Sequence, residues 1–199
     1  MTGTLAGLMV ALLLTLGAAT AHAGAPSEAL KTGVDKALKV LEDPALKGEV
    51  HASERRKQLR EIADTLFDFD EMSRRTLATH WQKRTADERQ KFTTLFADLL
   101  ENTYFAQVDT YSGGGNVRYG AESIKTDQAT VRTAIVTAKG TEIPAEYRMH
   151  QKGGRWMVYD VSIEGVSLVN NYRAQFSRVL ASSSYQELVH RMKDKTPGL

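Results

Sequence analysis

The sequence predicts an α+β fold: helices first, then a four-stranded twisted antiparallel sheet, then closing helices, about six to seven helices in all. Three observations lead there. Between Ser27 and Tyr104 apolar residues recur every three or four positions, and from Val117 the interval becomes two. The links between the alternating segments are Asp127-Gln128, Lys139-Gly140 and Lys152-Gly153-Gly154, too short for anything but antiparallel neighbours.

Taken in order, Ser27 to Glu42 places Leu30, Val34, Leu38 and Leu41 on one helical face, and Asp43-Pro44 stops it or opens a short new turn. A second helix begins near Ser53, with Leu59, Ile62, Ala63 and Leu66 inward and Arg55, Arg56, Lys57 and Arg60 outward as a solvated basic face. Asp68 and Glu71 form a D-x-x-E capping box, with Phe67 and Met72 in the staple relation, opening a third helix that should end near Trp81. Thr85 and Glu88 repeat the device ahead of a stripe of Phe92, Leu95, Phe96, Leu99, Leu100 and Tyr104.

Gly113-Gly114-Gly115 breaks the helical pattern and reads as a hinge, because the Lys-Ser/Thr pair of a phosphate-binding loop does not follow it. Candidate strands are Asn116 to Lys125, Ala129 to Lys139, Thr141 to Gln151 and Arg155 to Ile163. Gly165 then joins the last strand to a helix whose stripe is Leu168, Val169, Tyr172, Phe176, Val179 and Leu180. Ser184 and Glu187 cap a final helix, and Thr196-Pro197-Gly198 is a frayed end.

Residues 1–23 read as a signal peptide, leaving 24–199 as one domain. Leu5 to Leu16 carries no charge and Ala21-His22-Ala23 is a small-residue cleavage site, although no Lys or Arg precedes the run. The run is too short for a membrane span. With no cysteine in the chain, a lipid-modified product, disulfides and thiol chemistry are excluded. The 26 basic and 24 acidic residues leave a net charge of +2, which supplies no general attraction to nucleic acid.

Catalytic patterns are sparse. His51, His80, His150 and His190 do not form a zinc-type spacing, and Gly165-Val166-Ser167 is not completed to G-x-S-x-G. Asp160, inside an apolar strand beside Tyr159, is the one residue that would serve as a general base for a small apolar substrate if desolvated. The plainer reading has Asp160 accepting hydrogen bonds from backbone or from an arginine such as Arg148 or Arg173. More conspicuous is the supply of apolar stripe, more than one small sheet needs, which either fills a core or lines a hollow.

Three segments, LFDFDEMSRRTLATHW (66–81), FTTLFADLLENTYFAQVDTYSG (92–113) and WMVYDVSIEGVSLVNNYRAQF (156–176), together resemble the MlaC family of periplasmic phospholipid carriers, also called toluene-tolerance proteins. The resemblance covers essentially all of residues 24–199. It implies a twisted sheet related to the NTF2-like cone, packed against helices around a deep apolar pocket for glycerophospholipid acyl chains, without cofactor, metal or catalysis, in a monomer. It also implies two partners: an outer-membrane Mla lipoprotein with its porin, and the MCE-domain subunit of an inner-membrane ABC transporter. A cone-fold enzyme using Asp160 and an adaptor with a filled core are the rival readings.

If the pocket is there, strand alternation nominates its walls. On the last strand Met157, Tyr159, Val161 and Ile163 form an apolar row and Trp156, Val158, Asp160 and Ser162 the opposite one. The apolar row is the expected lipid side, joined by Val131, Ile135, Tyr147 and Met149 from neighbouring strands and by Leu168, Val169 and Tyr172 from the helix after Gly165.

Overall fold

The computed structural model describes residues 24–110 and 115–194, with backbone alone for 105–110. The expected leader, the Gly113-Gly114 part of the hinge and the frayed end lie outside these residues. Six α-helices are described: α1 (Ala25–Glu42), α2 (Ala52–Leu66), α3 (Phe69–Leu77), α4 (Ala86–Thr110), α5 (Leu168–Ser182) and α6 (Tyr185–Asp194). The strands are β1 (Asn116–Lys125), β2 (Gln128–Val136), β3 (Glu142–Lys152), β4 (Arg155–Ile163) and β5 (Val166–Ser167). They form one sheet in the order β1-β2-β3-β4-β5, antiparallel throughout.

Local sequence accounts for most element boundaries. Asp43 caps a 3-10 turn over Pro44–Leu46 by accepting from the Ala45 N–H. The box at the start of α4 is complete: the Glu88 N–H donates to Thr85 Oγ1 at 3.2 Å, and the Thr85 N–H donates to Glu88 Oε2 at 2.9 Å. Replacing Thr85 by alanine is expected to cost about 1 kcal/mol, read as a lower denaturant midpoint at unchanged slope.

The box at α3 is only half made. Asp68 accepts from the Glu71 N–H at 3.1 Å, but the Glu71 carboxylate does not reach back, because Arg74 and Arg75 hold it at 2.6 and 2.7 Å. The helix also ends earlier than its spacing suggests. Ala78 takes φ 48° and ψ −122°, a conformation no helix continues, and a 3-10 segment (Ala78–Lys83) carries the chain to α4. Arg55 is a further correction: expected outward, it is 6% exposed and donates to the carbonyls of Leu46 and Gly48, closing the loop before α2. Arg60 ties α2 to α4 through Asp98 and Glu101 at 2.9 and 2.8 Å.

Two features of the sheet depart from the sequence reading. Glu164 and Gly165 both have positive φ (50° and 83°), so β4 turns into the two-residue strand β5 before α5 starts; the sheet has five strands rather than four. The second is a bulge in β4. Arg148 lies opposite Asp160 and Met149 opposite Val158, which leaves Tyr159 as the extra residue. A bulge reverses the facing of everything beyond it, so the expected row of Met157, Tyr159, Val161 and Ile163 does not exist. Val161 and Ile163 share a face with Val158 and Trp156, while Met157 and Asp160 lie on the other.

Both faces of β4 are therefore covered. On one side Leu30 of α1 and Leu66 of α2 pack over Ala129, Val131, Met149, Val158 and Val161. On the other, Phe92, Phe96, Tyr172, Phe176 and Leu188 join Met72, Leu77 and Tyr159 in a helical core. Most of the α5 stripe thus packs on α3, α4 and α6 together with Tyr159 of β4, while Leu168 packs at the edge of the sheet's other face. Its rings interlock edge to face, Phe96 with Tyr172 at 5.2 Å and Phe92 with Phe176 at 5.6 Å between centroids.

Candidate ligand-binding face

The face of the sheet turned toward α1 and α2 is built by alternation. Across β1 and β2, Val117 lies opposite Ile135 and Tyr119 opposite Thr133. Across β2 and β3, Ile135 meets Ile143 and Val131 meets Tyr147; across β3 and β4, Ala145 meets Ile163 and Tyr147 meets Val161. Directly opposed residues share a face, so these side chains form one nearly continuous apolar surface. Its single carboxylate among the described strand residues, Glu122, is committed to the start of α1, where it accepts from the Ser27 N–H at 2.7 Å.

The two ends of this surface differ. Under α1 and α2 it is closed, with Val131, Met149 and Val158 wholly inaccessible. Toward the start of β1 and the β2–β3 link, Val117, Ile135, Ile143, Ile163, Tyr147 and Leu168 are only half-buried. Two phenols lie on this surface. The Tyr119 hydroxyl is buried without a hydrogen-bond partner among the described residues, and burial, with the charge of Asp35 and the nearby Tyr147, pushes its pKa up. Burial also raises that of Tyr147, so both remain neutral. What the face offers chemically is a dry surface for methylene chains, with an orphan phenol able to donate to an oxygen.

The structure divides the residues nominated from sequence. Val131, Ile135, Tyr147, Met149, Val161 and Ile163 are brought together on this face, and Leu168 packs at its edge. Met157 and Tyr159 are on the far side of β4 because of the bulge. Val169 and Tyr172 belong to the helical core. Alternation would have added Val117, Tyr119 and Ile143, which the sequence reading passed over; the bulge leaves no such signal.

Asp160 is 3% exposed and fully engaged. Its Oδ2 accepts from Ser167 Oγ at 2.6 Å and from Arg148 Nη1 at 3.5 Å, and its Oδ1 accepts from the Val169 N–H at 3.1 Å. Ser167 in turn caps α5 by accepting from the Asn170 N–H. The aspartate therefore fixes the first turn of α5 onto β4, the plainer of its two expected roles. Among the described residues no cluster of His, Asp and Glu has metal-ligand geometry, and no helix is long and apolar enough to cross a membrane.

The fold and this face define an α+β protein with a five-stranded antiparallel sheet whose apolar face is closed by α1 and α2 at one end and half open at the other. The chain belongs to the MlaC protein family, whose model matches residues 31–194. It is similar to the intermembrane phospholipid transport system binding protein MlaC of Haemophilus influenzae, with 25% identity over 126 residues, 60% of this chain and 58% of that one. It is also similar to the toluene tolerance protein ttg2D of Pseudomonas putida, with 24% identity over 120 residues, 60% of this chain and 56% of that one. The alignments thus span less than two thirds of either relative. Among solved structures, the phospholipid-binding protein of Ralstonia solanacearum in complex with a phospholipid superposes with a TM-score of 0.78 at 22% identity, covering 87% of this chain and 97% of that one. The likeness shows a shared fold.

Proposed function

We propose that this protein is a periplasmic phospholipid carrier, exported by cleavage after Ala23, that holds acyl chains against the apolar face of its sheet. It passes glycerophospholipid between an outer-membrane lipoprotein with its porin and the MCE-domain subunit of an inner-membrane ABC transporter, maintaining outer-membrane lipid asymmetry. The observation that carries the reading is the half-open apolar surface around Ile135, Ile143, Tyr147 and Ile163. The phospholipid named in the relatives' descriptions supports it.

Physical chemistry sets the task. An acyl chain drawn from a bilayer into water costs about 0.8 kcal/mol per CH₂, so two tails of about sixteen carbons cost on the order of 25 kcal/mol. A carrier must replace most of the bilayer's contact and still release its load. Native mass spectrometry of freshly purified protein tests this: a mass excess matching a glycerophospholipid is expected, and delipidation should lower the melting temperature until phospholipid is restored. Protein that purifies without lipid and melts identically with and without added phospholipid would refute the carrier and favour a filled-core adaptor.

A further inference from the structure

Across β4 from the apolar face lies a separate cavity of about 320 Å³. It is framed by the last turn of α3, the 3-10 segment after it, one residue of β3 and the first turns of α5. Four of its walls are arginines, Arg74, Arg75, Arg148 and Arg173, and its lining contains a single carboxylate, Asp160. That carboxylate already accepts from Ser167, Val169 and Arg148.

The guanidinium groups are held in place with donors to spare. Glu71 fixes Arg74 and the Arg75 Nε, and the Arg75 guanidinium lies 4.1 Å from the Tyr159 ring centre, an arrangement that leaves both its Nη groups without an acceptor among the described residues. Arg148 Nε faces Glu146 at 3.6 Å and its Nη1 reaches Asp160, which leaves Nη2. Arg173 uses only Nη2, toward Asn170 on its own helix. The four guanidinium groups face three carboxylates, Glu71, Glu146 and Asp160, so an excess positive charge remains that an anion in the cleft would offset. Ala78, at φ 48°, adds backbone strain of about 1–3 kcal/mol at the point where the chain turns from α3 to wall the cavity with Trp81.

The free donors, spread over three arginines, outnumber what the two oxygens of a carboxylate can accept, whereas a phosphate offers three or four oxygens to guanidinium forks. We propose that this cleft is an anion site for the phosphate group, taking either free phosphate or the phosphodiester of a lipid headgroup, and distinct from the apolar face. The inference stands on the cleft and does not require the carrier reading.

Titration calorimetry on the full-length mature chain at low ionic strength tests it, with inorganic phosphate and glycerophosphoethanolamine, a tail-free diester, as the two probes. Saturable binding of at least one is expected. Tighter binding of the diester assigns the lipid headgroup as the source, tighter binding of inorganic phosphate assigns the free anion, and either bears out the site. Arg173→Glu should weaken binding by about tenfold or more, while Arg178→Glu, an exposed arginine of the same helix outside the cleft, should not. If Arg173→Glu does not fold by circular dichroism, Arg148→Gln, which removes another of the free donors, takes its place. Absence of saturable binding by both probes, or equal affinity in wild type and the folded cleft variant, would overturn the proposal.

Discussion

Ile135→Glu is expected to strip phospholipid from the protein while leaving it folded. Ile135 sits at the open end of the apolar face, opposite Val117 on one side and Ile143 on the other, and is half-buried. A carboxylate there keeps access to water in the empty protein. Beside an acyl chain it would be desolvated without a partner, and the chain avoids that only by withdrawing. Withdrawal of about four methylenes forfeits roughly 3 kcal/mol, more than a hundredfold in affinity. Val131 and Val161 would be poorer probes, because at 0% and 6% exposure a charge would unfold the sheet first. Ala134→Glu adds the same charge one residue away on the opposite face and should retain lipid. Folded Ile135→Glu protein that co-purifies with wild-type amounts of phospholipid would remove this face from the binding site.

The largest loss of stability from a single polar change is expected at Asp68. Its carboxylate, 3% exposed, joins α3 to β3 through three contacts: it caps α3, and it accepts from Lys152 Nζ at 2.9 Å and lies 2.9 Å from His150 Nε2 at the end of β3. The neighbouring backbone adds a fourth tie, the Asp68 N–H donating to the Val158 carbonyl at 2.8 Å. Truncation to alanine removes the cap and the acceptor facing His150 and leaves Lys152, whose side chain is 49% exposed, with Asp70 at 3.9 Å, a loss of about 2–3 kcal/mol.

That loss should depend on pH. Burial alone would raise the Asp68 pKa, but the hydrogen bond from Lys152, the Glu71 N–H, the Lys152 charge and His150 outweigh it and hold it below the ordinary 3.8. A carboxylate depressed in the folded state contributes stability that is fully present above the unfolded pKa and is lost as pH falls through the folded one. The gap between wild type and Asp68→Ala in urea melts should therefore be full at pH 7, begin to close below about pH 4 and narrow further toward the folded pKa. A gap that is constant from pH 7 to pH 2 would show that the carboxylate's charge has no part in it.

The helical boxes illustrate how far local chemistry reaches. Thr85 and Glu88 form theirs as written, because both partners lie within one turn and nothing competes for them. Asp68 and Glu71 have the same spacing and make half a box, because Arg74 and Arg75 take the second carboxylate and β3 takes part of the first. The strands repeat the lesson. Gly153 and Gly154 sit in the left-handed region their turn requires, and the ends of β1 and β4 fall where alternation and turn residues put them.

What the sequence by itself determined was the α+β order, the caps, the antiparallel meander and an apolar surface in excess of one small core, all of them properties of period and neighbouring residues. Tertiary structure alone decided which way that surface faced. One extra residue at Tyr159 turned Met157 away from Val161, and the fit of α5 against α4 and α6 drew Val169 and Tyr172 into a helical core. The four arginines of the cleft, distant in sequence between Arg74 and Arg173, met only because α3, β3 and α5 converge on β4. A bulge shifts facing by a single position without altering composition, and long-range convergence has no local period, so neither leaves a trace that spacing can report.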